Sequence, residues 1–148
     1  SGPRMIAMRD DKMMKKNSEV WLELIRNGKR IESAPVGERL IARLKSHIPA
    51  ENIRVTECSA SRSSNDDISS ITVPLISQGC PLVPHIMSEM ILRNGSWEAD
   101  LYVFRLEGSH HIDIACIVQL CTNSTCPPIN VNQSIIGNEC CLLIDYRK

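Results

Sequence analysis

From Val20 onward the chain alternates apolar and polar positions with the period of two that belongs to half-buried strands. Val20, Leu22 and Leu24 alternate with Trp21, Glu23 and Ile25, and Asn27-Gly28 then supplies a turn. Leu40, Ala42 and Leu44 alternate with Ile41, Arg43 and Lys45 in a second strand, although this stretch would also suit a helix. Ile53 and Val55 lead toward Cys58, and residues 59–70 are polar without a period, which predicts a loop. Residues 71–76 are a short apolar run around Pro74, an edge strand at best. Pro81 and Pro84 make the stretch as far as Leu92 irregular. Residues 97–106 and 112–120 carry the clearest strand patterns, with Ile112, Ile114, Cys116, Val118 and Leu120 on one face. The Glu107-Gly108-Ser109-His110 link between them is short enough for a hairpin. Residues 141–146 predict a final strand.

Strands at modest spacing with turns between them indicate an all-β sandwich over residues 19–148. Residues 1–18 are polar and methionine-rich and read as a linker-like lead-in. Ser1-Gly2-Pro3 has the form left by tag removal, so the chain is expected to be a fragment of a longer protein.

Composition narrows the function. The 17 basic and 17 acidic side chains balance, which disfavours nucleic acid, whose phosphates require a concentrated basic face. No apolar run approaches the ~18 residues of a membrane span, so no membrane contact by these residues is expected. Eighteen isoleucines against one phenylalanine point to a core of branched aliphatics, which suits strands. Seven cysteines, all from Cys58 onward, would form a disulfide framework in a secreted chain or a metal site in a cytosolic one. Three Asn-X-Ser/Thr sequons, at Asn94, Asn123 and Asn132, favour secretion and mark expected glycosylation sites.

The order of these landmarks carries a resemblance. Ala99-Asp-Leu-Tyr-Val-Phe104-Arg-Leu106 precedes Ile112-Asp-Ile-Ala-Cys116-Ile-Val-Gln-Leu-Cys121, and Cys126 follows after four residues. Upstream stand Pro35-Val36-Gly37, Cys58-Ser-Ala60 and Gly79-Cys80-Pro81. The set resembles the C-terminal subdomain of zona pellucida (ZP) modules over roughly residues 19–141. The sequence departs from the family in its scarce aromatics, in Leu106 where phenylalanine is common, in the thirteen residues between Cys126 and Cys140, and in one extra cysteine.

The resemblance implies an immunoglobulin-like β-sandwich stabilised by disulfides. It implies the bridges Cys58–Cys116, joining two strands across the sandwich, Cys121–Cys126, and Cys80 to Cys140 or Cys141. It also implies a structural role: assembly or partner binding in a secreted apical or luminal extracellular matrix. The partners would be other ZP-module or matrix proteins, a second copy of the chain, or the N-terminal half of the module. Val20, Trp21, Leu22, Leu24 and Ile25 match the position of the family's assembly segment at the junction of its two halves. A receptor-ectodomain or cytokine-like ligand-binding module is the alternative on the same sandwich.

Other chemistries are weaker. Catalysis would have to use His110 and His111 with Asp100, Asp113 or a cysteine, and no pattern that activates a nucleophile accompanies them. The expectation is therefore no enzyme and no cofactor. Zinc is the rival, through His111, Cys116, Cys121 and Cys126, although their spacers are wide. Asn65-Asp66-Asp67 lacks the spaced ligands of a calcium loop. No metal is expected.

Overall fold

In a computed structural model, the description covers residues 4–9 (as backbone), 19–62, 71–107, 111–121 and 126. The protein is all-β, with its strands in two antiparallel sheets. The strands are β1 (Arg4–Arg9), β2 (Val20–Arg26), β3 (Lys29–Arg30), β4 (Arg39–Ser46), β5 (Ile53–Arg62), β6 (Thr72–Ser77), β7 (Cys80–Pro81), β8 (Ile91–Arg93), β9 (Ser96–Tyr102) and β10 (Ile112–Leu120). One sheet has the order β1-β10-β5-β6-β7 and the other β3-β2-β4-β9-β8.

Three tight turns set local register. Asn27-Gly28, Gln78-Gly79 and Asn94-Gly95 each place two successive residues at positive φ, between 50° and 83°. That is the geometry of a type I′ hairpin, whose twist matches the flanking strands. They join β2 to β3, β6 to β7 and β8 to β9.

Both sheets face one core. Val20, Leu22, Ala42, Leu44, Ala99 and Leu101 line it from one side. Ile53, Val55, Cys58, Ile114, Cys116 and Val118 line it from the other, with Met87 and Met90 from the connection between β7 and β8. The core follows the sequence pattern closely along β4 and β10, where buried and half-buried positions alternate. In β2 the alternation breaks: Leu24, expected inward, is half-buried near the end of the sandwich. Ile25, expected outward, stands opposite Ile41 and is buried.

Four expectations change. The link after residue 106 is no hairpin: β9 pairs with β4 and β8, while β10 pairs with β5 and β1 in the other sheet. The reason is that β9 stops at Tyr102. There Gly37 donates to the Val103 carbonyl and Val103 to the Glu38 carbonyl, which carries the contact with the start of β4 one residue further, while Tyr102 donates to the Ile86 carbonyl. The segment that follows is long enough to cross the ~10 Å between packed sheets.

Residues 59–62 are not loop but the end of β5, with Ala60 fully buried between Ile114 and Val73. Alternating Ser and Ala had hidden the period. Within the linker-like lead-in, Arg4–Arg9 forms β1 and extends the sheet beyond β10. Finally, β6 is flanked by β5 and, over Ile76 and Ser77, by β7. Its edge character is confined to its first residues. The expected strand at 141–146 and the Asn65-Asp66-Asp67 run lie outside the described residues.

The outer face of the second sheet is tied by ions. Arg43 Nε donates to Glu98 Oε2 at 2.6 Å, Arg39 Nη1 reaches Asp100 at 3.2 Å, and Arg93 stands 3.7–3.8 Å from both carboxylates. Glu98 is only 9% exposed, so Arg43 compensates a carboxylate largely removed from water.

Leu22 is 1% exposed and Ile91 39%. Leu22→Ala is therefore expected to cost about 2–5 kcal/mol and Ile91→Ala less than about 1 kcal/mol. Urea denaturation of the two variants checks the contrast.

Candidate functional site

The cysteines are positioned by strand pairing. Cys58 and Cys116 are direct partners in the β5–β10 register, both 1% exposed, and are bonded to each other with Cα atoms 4.0 Å apart. The bridge was expected to cross the sandwich. It instead links adjacent strands of one sheet, because the paired register puts both side chains on the same core-facing side.

Cys121 and Cys126 are also bonded. Both cysteines are held against the short 3₁₀ turn Ala50–Asn52. Asn52 grips Cys121 from two directions: its carbonyl accepts from Cys121 N–H at 2.9 Å, and its side-chain amide donates to the Cys121 carbonyl at 3.0 Å. Cys126 N–H donates to the Glu51 carbonyl. Cys80 is disulfide-bonded as well, while Cys140 and Cys141 lie outside the described residues.

These bonds remove the thiols that zinc would need, since Cys116, Cys121 and Cys126 are all spent in disulfides. His111 is exposed, and no three His, Cys, Asp or Glu side chains converge among the described residues. Of the residues considered for catalysis, Asp100 is engaged by Arg39, and His110 lies outside the described residues. Trp97 packs against the core and donates from Nε1 to the Ala50 carbonyl at 2.9 Å.

The segment Val20, Trp21, Leu22, Leu24 and Ile25 forms β2, so much of its apolar surface serves the core. Trp21 stays half-buried on the outer face, its ring centroid 5.0 Å from that of His47 and tilted by 54°, with its Nε1 donating to Glu23. Among the described residues β3 covers only Ile25 and Arg26 of the far side of β2, which leaves an unpaired edge from Val20 to Glu23. Asn94 is exposed at the tip of the β8–β9 turn. Asn123 and Asn132 lie outside the described residues.

Sequence reasoning missed the edge formed by β10. Arg4–Arg9 pairs with it antiparallel from Arg4 opposite Leu120 to Arg9 opposite Ala115. The alternation Ile6, Met8 against Met5, Ala7 was the available signal, obscured by flanking polar residues. On the outer face beside this pairing, Arg54 donates to Gln119, and burial pulls its pKa below the ordinary arginine value.

No protein-family model matches the chain, and no curated protein matches it either. The disulfides mark an oxidising, extracellular-type setting. No helix among the described residues is long and apolar enough to cross a membrane.

Cys58–Cys116 closes a separation of 58 residues and Cys121–Cys126 one of 5. Chain-entropy arguments give about 4 and about 2 kcal/mol respectively. The double variant Cys58→Ala/Cys116→Ala is therefore expected to lose roughly twice the stability that Cys121→Ala/Cys126→Ala loses, as read by equilibrium denaturation.

Proposed function

We propose that this chain is the C-terminal, immunoglobulin-like half of a ZP module: a secreted, glycosylated structural domain that contributes to assembly or partner binding in an extracellular matrix, without catalysis. The Cys58–Cys116 and Cys121–Cys126 bonds agree with the pairings that the family resemblance implies. The order β2-β4-β9-β8 corresponds to strands A, B, E and D of an immunoglobulin sandwich, and β6-β5-β10 to C′, C and F. Both correspondences support the reading.

One observation carries the assembly role. The free edge of β10, where a terminal strand G would stand, is filled by Arg4–Arg9 from outside the expected domain. An edge that accepts a strand through backbone hydrogen bonds accepts an equivalent strand from another chain by the same chemistry. Exchange of this strand between copies, or its replacement by a matrix partner, would join domains without any new site. Edge pairing also needs no cofactor.

The test uses the full chain. Ala7→Pro together with Met8→Pro removes a donor to β10 whichever of the two faces it, and is expected to release the strand while the rest of the sandwich stays folded by circular dichroism. A labelled peptide of residues 1–18 should then bind the variant about tenfold more tightly than the wild-type chain. Equal binding to both, or binding to neither, would count against assembly through this edge. In secreted material, Asn94→Gln should lower the mass by one glycan; an unchanged mass would remove Asn94 from the modified sites.

A further inference from the structure

At one end of the sandwich the two sheets do not close on each other. A cavity of about 220 Å³ remains between Leu24, Leu40 and Leu101 of one sheet and Ile112 and Ile114 of the other, with Phe104 as its aromatic wall. The space opens to solvent at this end and is a cleft between the sheets, not an enclosed void. Leu24, Phe104 and Ile112 are only partly buried and simply pack against the core, which leaves their apolar surface available at the opening. Tyr102, the exposed His111 and the segment Ile31–Ala34 rim the mouth.

We infer that this cavity binds a small monocyclic aryl-alkyl amine, ring inward and ammonium at the mouth. Size sets the ring: an apolar cavity of about 150 Å³ lined by Leu, Ile and Phe holds benzene. The larger space here takes the same ring with a two- or three-carbon arm. Phe104 offers the edge or face contact that a ring prefers. Charge sets the head group. Glu32 lies at the rim, exposed, with no ion pair or hydrogen bond among the described residues, whereas the neighbouring Glu38 is already held by Arg26 at 2.7 Å. An ammonium leaving the cavity meets that free carboxylate. The inference is independent of strand exchange at β10, because the cavity belongs to the inner faces of the sheets.

The experiment is a titration of the full chain with 2-phenylethylamine, followed by methyl NMR. Saturable shifts confined to Leu24, Leu40, Leu101, Ile112 and Ile114 are expected. The neutral analogue 2-phenylethanol should bind more weakly, by up to about fivefold, the range of an exposed ion pair. Glu32→Gln should abolish that preference while the ring still binds, and Ala34→Trp, which fills the mouth from its rim, should abolish binding of both compounds. Non-saturable shifts spread over the surface, or unchanged binding to Ala34→Trp, would overturn the site. Equal affinity for the amine and the alcohol in the wild-type chain would overturn the assignment of the head group.

Discussion

The pairing of β5 with β10 is the constraint on which the first sheet rests. Every other strand of that sheet is attached to one of these two, β1 through β10 and β6 through β5, with β7 hanging on β6. The pair contains a register shift between Ile117 and Val118, so its alignment is not fixed by backbone bonds alone. Cys58–Cys116 lies next to that irregularity and pins it covalently, while the Thr56 hydroxyl donates to the Ile117 carbonyl beside it. A slip by one residue would turn Ile114, Cys116, Val118 and Leu120 outward together. The bond thus protects a whole face of the core and not merely two residues.

That protection matters because the core is light. Its fully buried side chains are Leu, Ile, Val, Met, Ala and Cys, and the tryptophan and phenylalanine that touch it do so only partly. Aromatic rings normally contribute much of a core's buried area. Here the net stability of a domain, about 5–15 kcal/mol, must come from smaller aliphatic pieces. Disulfides worth about 2–4 kcal/mol each are a large share of such a total. The same scarcity of rings explains why one end of the sandwich stays open: Phe104 is the single phenylalanine, and the positions around it carry Leu and Ile.

Much of this was legible in the sequence, for reasons that also define where legibility ended. Period-two alternation located β2, β4 and β10, because one face of each meets the core and the other meets polar or half-polar surroundings. It failed where side chains carried no contrast, as in Ser59-Ala60-Ser61, whose small residues conceal a strand with a wholly buried alanine. It failed again at Glu107-Gly108-Ser109-His110, which has the composition of a hairpin. What separates β9 from β10 is their choice of partners distant in the chain, β4 for one and β5 for the other. The charged cluster of Arg43, Glu98, Arg39 and Asp100 was invisible for the same reason, since its partners meet only through the β4–β9 register. Of the candidate site, the cysteine pairs were reached through family resemblance, but the placement of Cys58–Cys116 within one sheet depended on the β5–β10 register. The lead-in strand was missed altogether.

The sheet edges decide where another chain can add. β3 and β7 are two residues long and β8 three, and such short edges offer little to a pairing strand. Among the described residues, β1 and the Val20–Glu23 part of β2 present longer edges. They are not on opposite sides of the molecule. β1 lies beside β2 where the flanks of the two sheets meet. Displacing β1 would therefore bare the β10 edge and, next to it, the flank of the segment that the family resemblance associates with assembly. A single incoming strand would restore the β10 ladder and cover that flank at once, whereas a strand added to β2 alone would leave β10 as it was. On the proposed assembly reading, the lead-in and the segment at Val20 would act as one surface, with β1 the part that moves first.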